Sequence, residues 1–209
     1  MIPEFTPQAL DSLRQPLENG AVAIARANNR VTYPARFQLV AAMNPCRCGM
    51  AGEPGMTCRR GRRCADDYQA RVSGPFLDRI DLRIEVPAVT AVDLIGPAAS
   101  EASAAVAARV AAARAVQAQR YAAAGADGVR TNAQCPAALI ETLVAADGAA
   151  LALLRDAAEA MRLSARGYHR VLKVARTLAD LDGADAVGRI HLAESLSFRM
   201  FGAVTALAA

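Results

Sequence analysis

Near its amino terminus the chain repeats apolar residues at helical spacing. In the segment TPQALDSLRQPLENG, Thr6 is placed to cap a helix that begins with Pro7 and continues through Leu17, and Gly20 ends it. The next two segments, AVAIAR and RVTYPAR, are short and β-prone, and they are joined at Ala27-Asn28-Asn29. Two such runs with a tight connection predict a β-hairpin.

Two further runs have the pattern of strands. The segment FQLVAAMNP, from Phe37 to Pro45, is almost continuously apolar, which is typical of a strand covered on both faces in an α/β sheet. A second strand is predicted from Asp81 to Val86, and Pro87 closes it. Between them, a short helix is predicted from Ala65 to Leu77, with Ser73-Gly74-Pro75 interrupting it. The first part of the chain is therefore expected to be a partial α/β core with an incomplete sheet.

The rest of the chain has an alanine-rich, helical pattern. One long helix is predicted from about Glu101 to Ala123, and glycines at 125 and 128 follow it. Four shorter helices follow, from Pro136 to Ala146, Ala149 to Met161, Ser164 to Leu181 and Ile190 to Arg199. The change in composition near residue 124 predicts an α/β portion at 1–124, an all-α bundle at 125–200 and a tail at 201–209.

Composition narrows the class of protein. Of 209 residues, 54% are hydrophobic but only 4% are aromatic, so the core has to be built from Ala, Val, Leu and Ile. The formal charge of +4 suits a partner that carries phosphate without establishing one. The N-terminal segment has no basic head, and no long uncharged apolar run follows, which predicts a soluble, cytoplasmic protein with reduced cysteines.

Four of the five cysteines are close together in the sequence. Cys46, Cys48, Cys58 and Cys64 supply enough thiolates for a closed tetrahedral zinc site. Their spacing is less regular than that of paired C-x-x-C motifs, so four reduced thiols in a loop are the alternative. Arginines between them could balance thiolate charge or contact a nucleic-acid backbone. Cys135, which is isolated, is interpreted as a small buried hydrophobe.

The sequence contains no loop of the kind that binds the phosphates of ATP. Such a loop needs glycines followed by Lys-Ser or Lys-Thr. The single lysine, Lys173, lies inside a predicted helix. The 209 residues alone are therefore not expected to hydrolyse ATP.

Several separated motifs nevertheless point to an ATPase family. The segments MIPEF, RVTYPARFQLVAAMNPCRCG, SGPFLDRIDLRIEVP and LSARGYHRVLKVARTLADLDG, in this order, resemble the Mg-chelatase-like AAA+ ATPases of the YifB/ComM type. The resemblance covers Ile2 to about Arg199. It implies the C-terminal part of an AAA+ core followed by a helical lid. It also implies that the phosphate loop and the acidic pair that organises Mg²⁺ lie upstream of Met1, so the chain is expected to be a fragment.

The resemblance carries functional expectations as well. Full-length relatives are expected to bind ATP and Mg²⁺, to assemble into a ring, expected to be a hexamer, and to remodel DNA by branch migration in recombination or natural transformation. No membrane partner is expected. The alternative is a non-catalytic, zinc-containing subunit that binds nucleic acid or regulates an intact ATPase.

Individual residues match positions of the family pattern. Asn44 matches the first sensor, which orients the attacking water; its alternative role is to satisfy turn backbone before Pro45. Arg79 resembles the arginine finger that acts on the nucleotide of a neighbouring subunit; the alternative is an ion pair with Asp78 or Asp81.

Two further pairs of arginines are candidates. Arg166 resembles the second sensor, a lid residue that contacts phosphates of its own subunit, with Arg170 one turn later as a weaker candidate for nucleotide binding. An exposed arginine near the helix cap is the alternative for Arg166. Arg26 and Arg30 flank the hairpin turn, where they would bind the phosphate backbone of DNA passing through the ring; a solvated turn is the alternative.

Overall fold

The computed structural model of the chain describes residues 1–27, 29–51, 57–58, 60–89, 94–96 and 101–199. The chain divides into two compact units, Met1–Ile80 and Asp81–Ala209. No helix within the described ranges is both long enough and apolar enough to cross a membrane. The predicted tail at 201–209 lies outside the described residues.

The first unit opens with two helices where the sequence predicts one. A 3-10 turn at Ile2–Glu4 precedes α1, Pro7–Ser12, and α2, Arg14–Asn19. The break follows from Pro16, which has no N–H to donate to the carbonyl of Ser12 and whose ring clashes with that carbonyl. The single predicted helix is therefore corrected to two.

The predicted ends of this helical region are confirmed. The Thr6 side chain accepts a hydrogen bond from the Ala9 amide, 3.3 Å away, and so caps α1. Gly20 follows α2 with a φ of +64°, in the left-handed region that favours glycine. An added Cβ at Gly20 would lie 2.7 Å from Cγ of Arg36, so the site also has no room for a side chain.

The predicted hairpin is present. Strand β1, Ala21–Arg26, pairs antiparallel with β2, Asn29–Pro34. Ile24 lies opposite Val31 in this register, and Arg26 lies opposite Asn29 at the closed end. Ala27 has a φ of +41°, as tight hairpin turns require, and Asn28 lies outside the described residues.

The two other predicted strands are corrected. Neither 37–43 nor 81–86 is a strand, and the sheet of the described residues contains β1 and β2 alone. Val40 is 85% exposed, where the prediction had it covered, and Val86 is 81% exposed. A strand exists only through hydrogen bonds to a neighbouring strand, and these segments pair with none in the described residues. The first unit is thus a small hairpin with helices.

After the hairpin, the described part of the first unit contains two short helices. They are α3, Arg62–Gln69, and α4, Gly74–Leu77, so the predicted helix from 65 to 77 is interrupted, as expected, before Gly74. Ser73 caps α4 by accepting a hydrogen bond from the Phe76 amide. The core of this unit contains Leu10, Val72 and Phe76, with Ile2, Leu13, Leu17, Leu39, Leu77 and Ile80 packed against them.

The second unit is a helical bundle. The helices whose bounds lie within the described residues are α5, Ser103–Ala123; α6, Ala137–Leu143; α7, Gly148–Ala160; α8, Ala165–Leu181; and α9, Arg189–Ser197, with a 3-10 turn at Asn132–Gln134. All five helices follow the sequence prediction to within a few residues. Ser164 accepts from the Gly167 amide at 3.0 Å and caps α8 as predicted.

One core holds the bundle together. Its buried members are Tyr121, Cys135, Ile140, Val144, Leu154, Val171, Leu172, Ala175, Ala179, Val187, Leu192 and Leu196. Because Tyr121 belongs to α5, this long helix packs with the bundle although it precedes residue 124. The functional division at residue 124 stays a prediction.

Candidate metal centre and arginine sites

The four clustered cysteines meet in the first unit. The Sγ atoms of Cys46, Cys48, Cys58 and Cys64 all lie within 4.8 Å of one another. The Cys48 sulfur is 3.1 Å from that of Cys46 and 3.2 Å from that of Cys58. Cys46 and Cys64 are buried, Cys58 is half-buried and Cys48 is exposed.

Two turns with left-handed glycines create this cluster in spite of its irregular spacing. The Gly49 amide donates to the Cys46 carbonyl at 3.0 Å, and the Gly61 amide donates to the Cys58 carbonyl at 2.9 Å. The φ values of these glycines are +79° and +68°. Each turn folds the chain back behind its cysteine, and Cys64 then reaches the cluster from the first turn of α3.

The cluster fits a structural zinc ion. Tetrahedral zinc with bonds of about 2.3 Å places its sulfur ligands about 3.8 Å apart. The observed separations, from 3.1 Å to at most 4.8 Å, bracket that distance. The Ala51 amide also donates to the Cys46 sulfur at 3.3 Å, which is the kind of outer contact that orients a metal ligand.

The thiols of the cluster differ in acidity. Burial alone raises the pKa of Cys46, but hydrogen bonds from Cys48 and from the amides of residues 48, 50 and 51 outweigh it and lower that pKa to about 6. The contact with Cys48 raises the pKa of Cys58 to about 12, although a backbone bond at Arg60 opposes this. Cys46 is therefore a stronger acid than Cys58.

Arg79 lies inside the first unit, only 8% exposed. Its Nε donates to the Arg14 carbonyl at 3.0 Å, its Nη1 donates to the Pro75 carbonyl at 2.7 Å, and its Nη2 forms an ion pair with Glu18. An ion pair is the structural alternative to the arginine finger, but its partner is Glu18 rather than Asp78 or Asp81. Action on a neighbouring subunit stays a prediction.

The other nucleotide candidates lie in different units. Asn44 is half-buried in the first unit, just before the cysteine cluster. Arg166 is half-buried in the first turn of α8 in the second unit. Arg170, one turn later, forms an ion pair with Asp81. The structure thus places these side chains without testing their predicted roles.

The hairpin arginines point in different directions. Arg26 is paired with Asn29 and Arg30 with Ala25. Since neighbouring residues of a strand point to opposite faces and directly opposed residues share a face, Arg26 and Arg30 lie on opposite faces. Both are exposed. A single nucleic-acid strand that contacts both would have to cross the closed end of the hairpin.

A buried polar network in the bundle was not predicted from the sequence. The Asp180 carboxylate accepts hydrogen bonds from Arg120, from Nε of Arg176 at 3.0 Å and from the Asn132 amide group at 2.8 Å. Tyr121 donates to Asn132 at 2.8 Å. Arg176 and Asp180 are four residues apart on α8, which is a spacing at which ion pairs form on a helix. Arg120 belongs to α5, and its contact with Asp180 joins residues that are 60 positions apart in the sequence.

Ion pairing determines the electrostatics of this network. Burial raises the pKa of Asp180, but hydrogen bonds from Arg120 and Asn132 outweigh burial and hold it below the usual range. The hydrogen bond to Asp180 correspondingly raises the pKa of Arg120. A cavity of about 430 Å³ lies beside the pair, lined by Val116, Gln119, Arg120, Ala123, Asp180, Gly183, Ala184 and Asp185. Two of the charged groups that line it, Arg120 and Asp180, are already bound to each other.

Both parts of the chain match models of one class of protein. Residues 1–94 match the family described as magnesium chelatase, subunit ChlI, and residues 100–199 match the C-terminal part of the same subunit. The predicted resemblance is thereby confirmed. The chain belongs to the Mg-chelatase family that includes ComM and YifB.

Individual relatives support this assignment over nearly the whole chain. Competence protein ComM of Haemophilus influenzae is 42% identical over 95% of the chain. An uncharacterized protein of Mycobacterium tuberculosis is 40% identical over 96%, and the uncharacterized protein YifB of Escherichia coli is 38% identical over 95%. The chain spans 37%, 39% and 38% of the lengths of these three proteins, respectively.

Proposed function

We propose that the chain is part of a ring-forming AAA+ ATPase that couples ATP hydrolysis to DNA remodelling in recombination or natural transformation. The observation that carries this proposal is the 42% identity to Competence protein ComM across 95% of the chain. Since the 209 residues contain no Gly-rich loop ending in Lys-Ser or Lys-Thr, the chain by itself does not hydrolyse ATP.

Three side chains have roles in this proposal. Asn44 orients the water that attacks the terminal phosphate, and Arg166 reports nucleotide state to the helical bundle. Arg79 acts on the nucleotide of a neighbouring subunit, and to do so it exchanges its contact with Glu18 for one with phosphate. A guanidinium binds carboxylate and phosphate with the same geometry, which makes the exchange chemically reasonable.

Zinc has a structural role in the proposal. Bound by the four cysteines, it would hold the two glycine turns and the start of α3 together next to Asn44. A closed site with four thiolates leaves no open position for a reacting water, so the metal stabilises the fold and does not take part in hydrolysis.

A chimera tests the proposed activity. The corresponding part of ComM from Haemophilus influenzae is replaced by this chain, and DNA-stimulated ATP hydrolysis is measured. The chimera is expected to be active, and Asn44→Ala or Arg166→Ala is expected to lower kcat by about 10²-fold or more. Arg155→Ala is the matched control, because Arg155 is largely exposed and pairs only with its neighbour Asp156 in the described structure.

Two outcomes would contradict the proposal. One is an inactive chimera that folds and assembles like ComM. The other is an active chimera in which Asn44→Ala and Arg166→Ala behave like Arg155→Ala.

The distribution of charge favours a second candidate function, a nucleic-acid-binding module without catalysis. Residues 1–80 contain 11 arginines and 7 acidic residues, a formal charge of +4, whereas residues 81–209 contain 13 basic and 13 acidic residues. Arg47, Arg60 and Arg63 are exposed around the cysteine cluster. Salt-dependent DNA binding by the isolated chain, together with an inactive chimera, would favour this candidate.

A further inference from the structure

The four sulfurs of the cluster differ sharply in access to solvent. Cys46 and Cys64 are buried, whereas Cys48 is exposed. Cys48 is also the central sulfur, with Cys46 at 3.1 Å and Cys58 at 3.2 Å. An external oxidant therefore meets Cys48 first, and a second thiol is already in contact with it.

We infer that Cys48 is an oxidation site for hydroperoxides and that it forms a disulfide with Cys58, which dismantles the metal centre. Exposed thiols next to a second thiol are characteristic of redox-sensing cysteines. In a reducing compartment, such a disulfide would be transient and regulatory.

Cys58 is a better partner than Cys46 for geometric reasons. Cys46 is fully buried, and its sulfur accepts the Ala51 amide. Cys58 is half-buried and lies ten residues from Cys48 along the chain. A Cys48–Cys58 disulfide therefore closes a longer loop than a Cys46–Cys48 disulfide would. The Cys48–Cys58 sulfurs have to approach by about 1 Å from their present separation to reach bonding distance.

The reaction balances with one peroxide molecule. The Cys48 sulfur attacks one peroxide oxygen, an S–O bond forms, the O–O bond breaks, and the departing hydroxide takes the Cys48 thiol proton to become water. The Cys58 sulfur then attacks the Cys48 sulfur, an S–S bond forms, the S–O bond breaks, and the second departing hydroxide takes the Cys58 thiol proton to become water. The two thiols together lose two electrons and two protons, and the peroxide takes up both to give two waters.

Oxidation has a direct consequence for the metal. A Cys48–Cys58 disulfide leaves Cys46 and Cys64 as the remaining sulfur ligands of the cluster. A four-thiolate site that has given up two of its ligands has little affinity left for zinc, so the zinc is released. This consequence rests on the proposed zinc centre, whereas the disulfide itself does not.

The test uses the full chain in two forms, metal-free and loaded with zinc. Each is treated with hydrogen peroxide, the disulfide is located by peptide mapping without reduction, and released zinc is measured with a chromogenic chelator. We expect a Cys48–Cys58 disulfide in both forms and release of zinc from the loaded form in step with it. A chain that forms this disulfide but never binds zinc would contradict the zinc centre and leave the oxidation site supported.

Variants separate the attacked sulfur from its partner. The double variant Cys46→Ser/Cys58→Ser removes both thiols that contact Cys48 and stops the reaction after its first step, so a sulfenic acid on Cys48 becomes trappable with dimedone. Cys48→Ser abolishes the disulfide and slows peroxide consumption at least about tenfold, while Cys135→Ser, buried in the other unit, changes neither. Oxidation of another cysteine first, or unchanged peroxide consumption in Cys48→Ser, would overturn the inference.

Discussion

Glu18 and Arg79, 61 residues apart in sequence, form an ion pair that connects the end of α2 to the segment after α4. Arg79 also donates to two backbone carbonyls, and its side chain is buried within the first unit. A side chain held in this way contributes to the stability of its own subunit, whatever it does in a neighbouring one.

Arg79→Ala is accordingly expected to destabilise the first unit of the isolated chain. The variant loses two hydrogen bonds from a charged donor and leaves the Glu18 carboxylate without this partner, at a cost of about 2–4 kcal/mol in unfolding free energy. Hydrogen exchange followed by mass spectrometry over residues 1–27 and 60–80 measures the effect. If Arg79→Ala left protection from hydrogen exchange as unchanged as Arg155→Ala does, Arg79 would have no structural role. The arginine-finger role would then be the only one supported.

The metal prediction concerns stoichiometry and affinity. The chain is expected to bind one zinc ion, and Cys64→Ser is expected to weaken binding by more than about 100-fold, since losing even an outer-shell partner costs 10–100-fold. Competition with a chelator of known affinity measures this. Cys135→Ser is the matched control because its sulfur is buried in the bundle, remote in sequence from the cluster. Equal zinc binding by both variants would contradict the site.

Local signals made much of the fold predictable. Thr6, Gly20 and Ser164 act on amides or turns within a few residues, so their effects can be inferred from sequence alone. The prediction of a strand at 37–43 was wrong. Apolar composition shows that a segment is suited to a strand, but it does not show whether a partner strand is present to pair with it.

The candidate site was predictable to a similar extent. Composition identified the four cysteines, and the structure brings their sulfurs together through turns at Gly49 and Gly61. Local reasoning could not find Glu18 as the partner of Arg79, since only the tertiary fold brings residues this distant together. For the same reason it missed the contact between Arg120 and Asp180, which lie on different helices.

The hairpin arginines are expected to act independently. Because Arg26 and Arg30 lie on opposite faces, each contacts a different phosphate if DNA binds at the hairpin. Arg26→Ala and Arg30→Ala should each remove about one phosphate contact, and the double variant about two. Each lost contact should reduce the slope of log affinity against log salt concentration by about one. Fluorescence anisotropy at several salt concentrations measures the slope, with Arg155→Ala as control. A single variant as defective as the double would mean that both arginines serve one contact.

The buried network of the bundle predicts a specific dependence on pH. Asp180 lies between Arg120 and Arg176, so Asp180→Asn leaves the buried guanidinium of Arg176 and the half-buried one of Arg120 without their shared carboxylate. Removing one member of a buried ion pair costs about 3–5 kcal/mol. Asp156→Asn is the matched control, because the Asp156 pair with Arg155 is largely exposed and is worth under about 1 kcal/mol.

The direction of the pH effect follows from the pKa of Asp180. Its pKa in the folded protein is held below the unfolded value of about 3.9, so the carboxylate stabilises the bundle fully above that value. The stabilisation is lost as pH falls through the lower, folded pKa. In urea unfolding, the difference between the wild type and Asp180→Asn should therefore be constant near neutral pH and shrink below about pH 4. A difference that is negligible at neutral pH, or that grows on acidification, would show that the three charges do not stabilise the bundle as a unit.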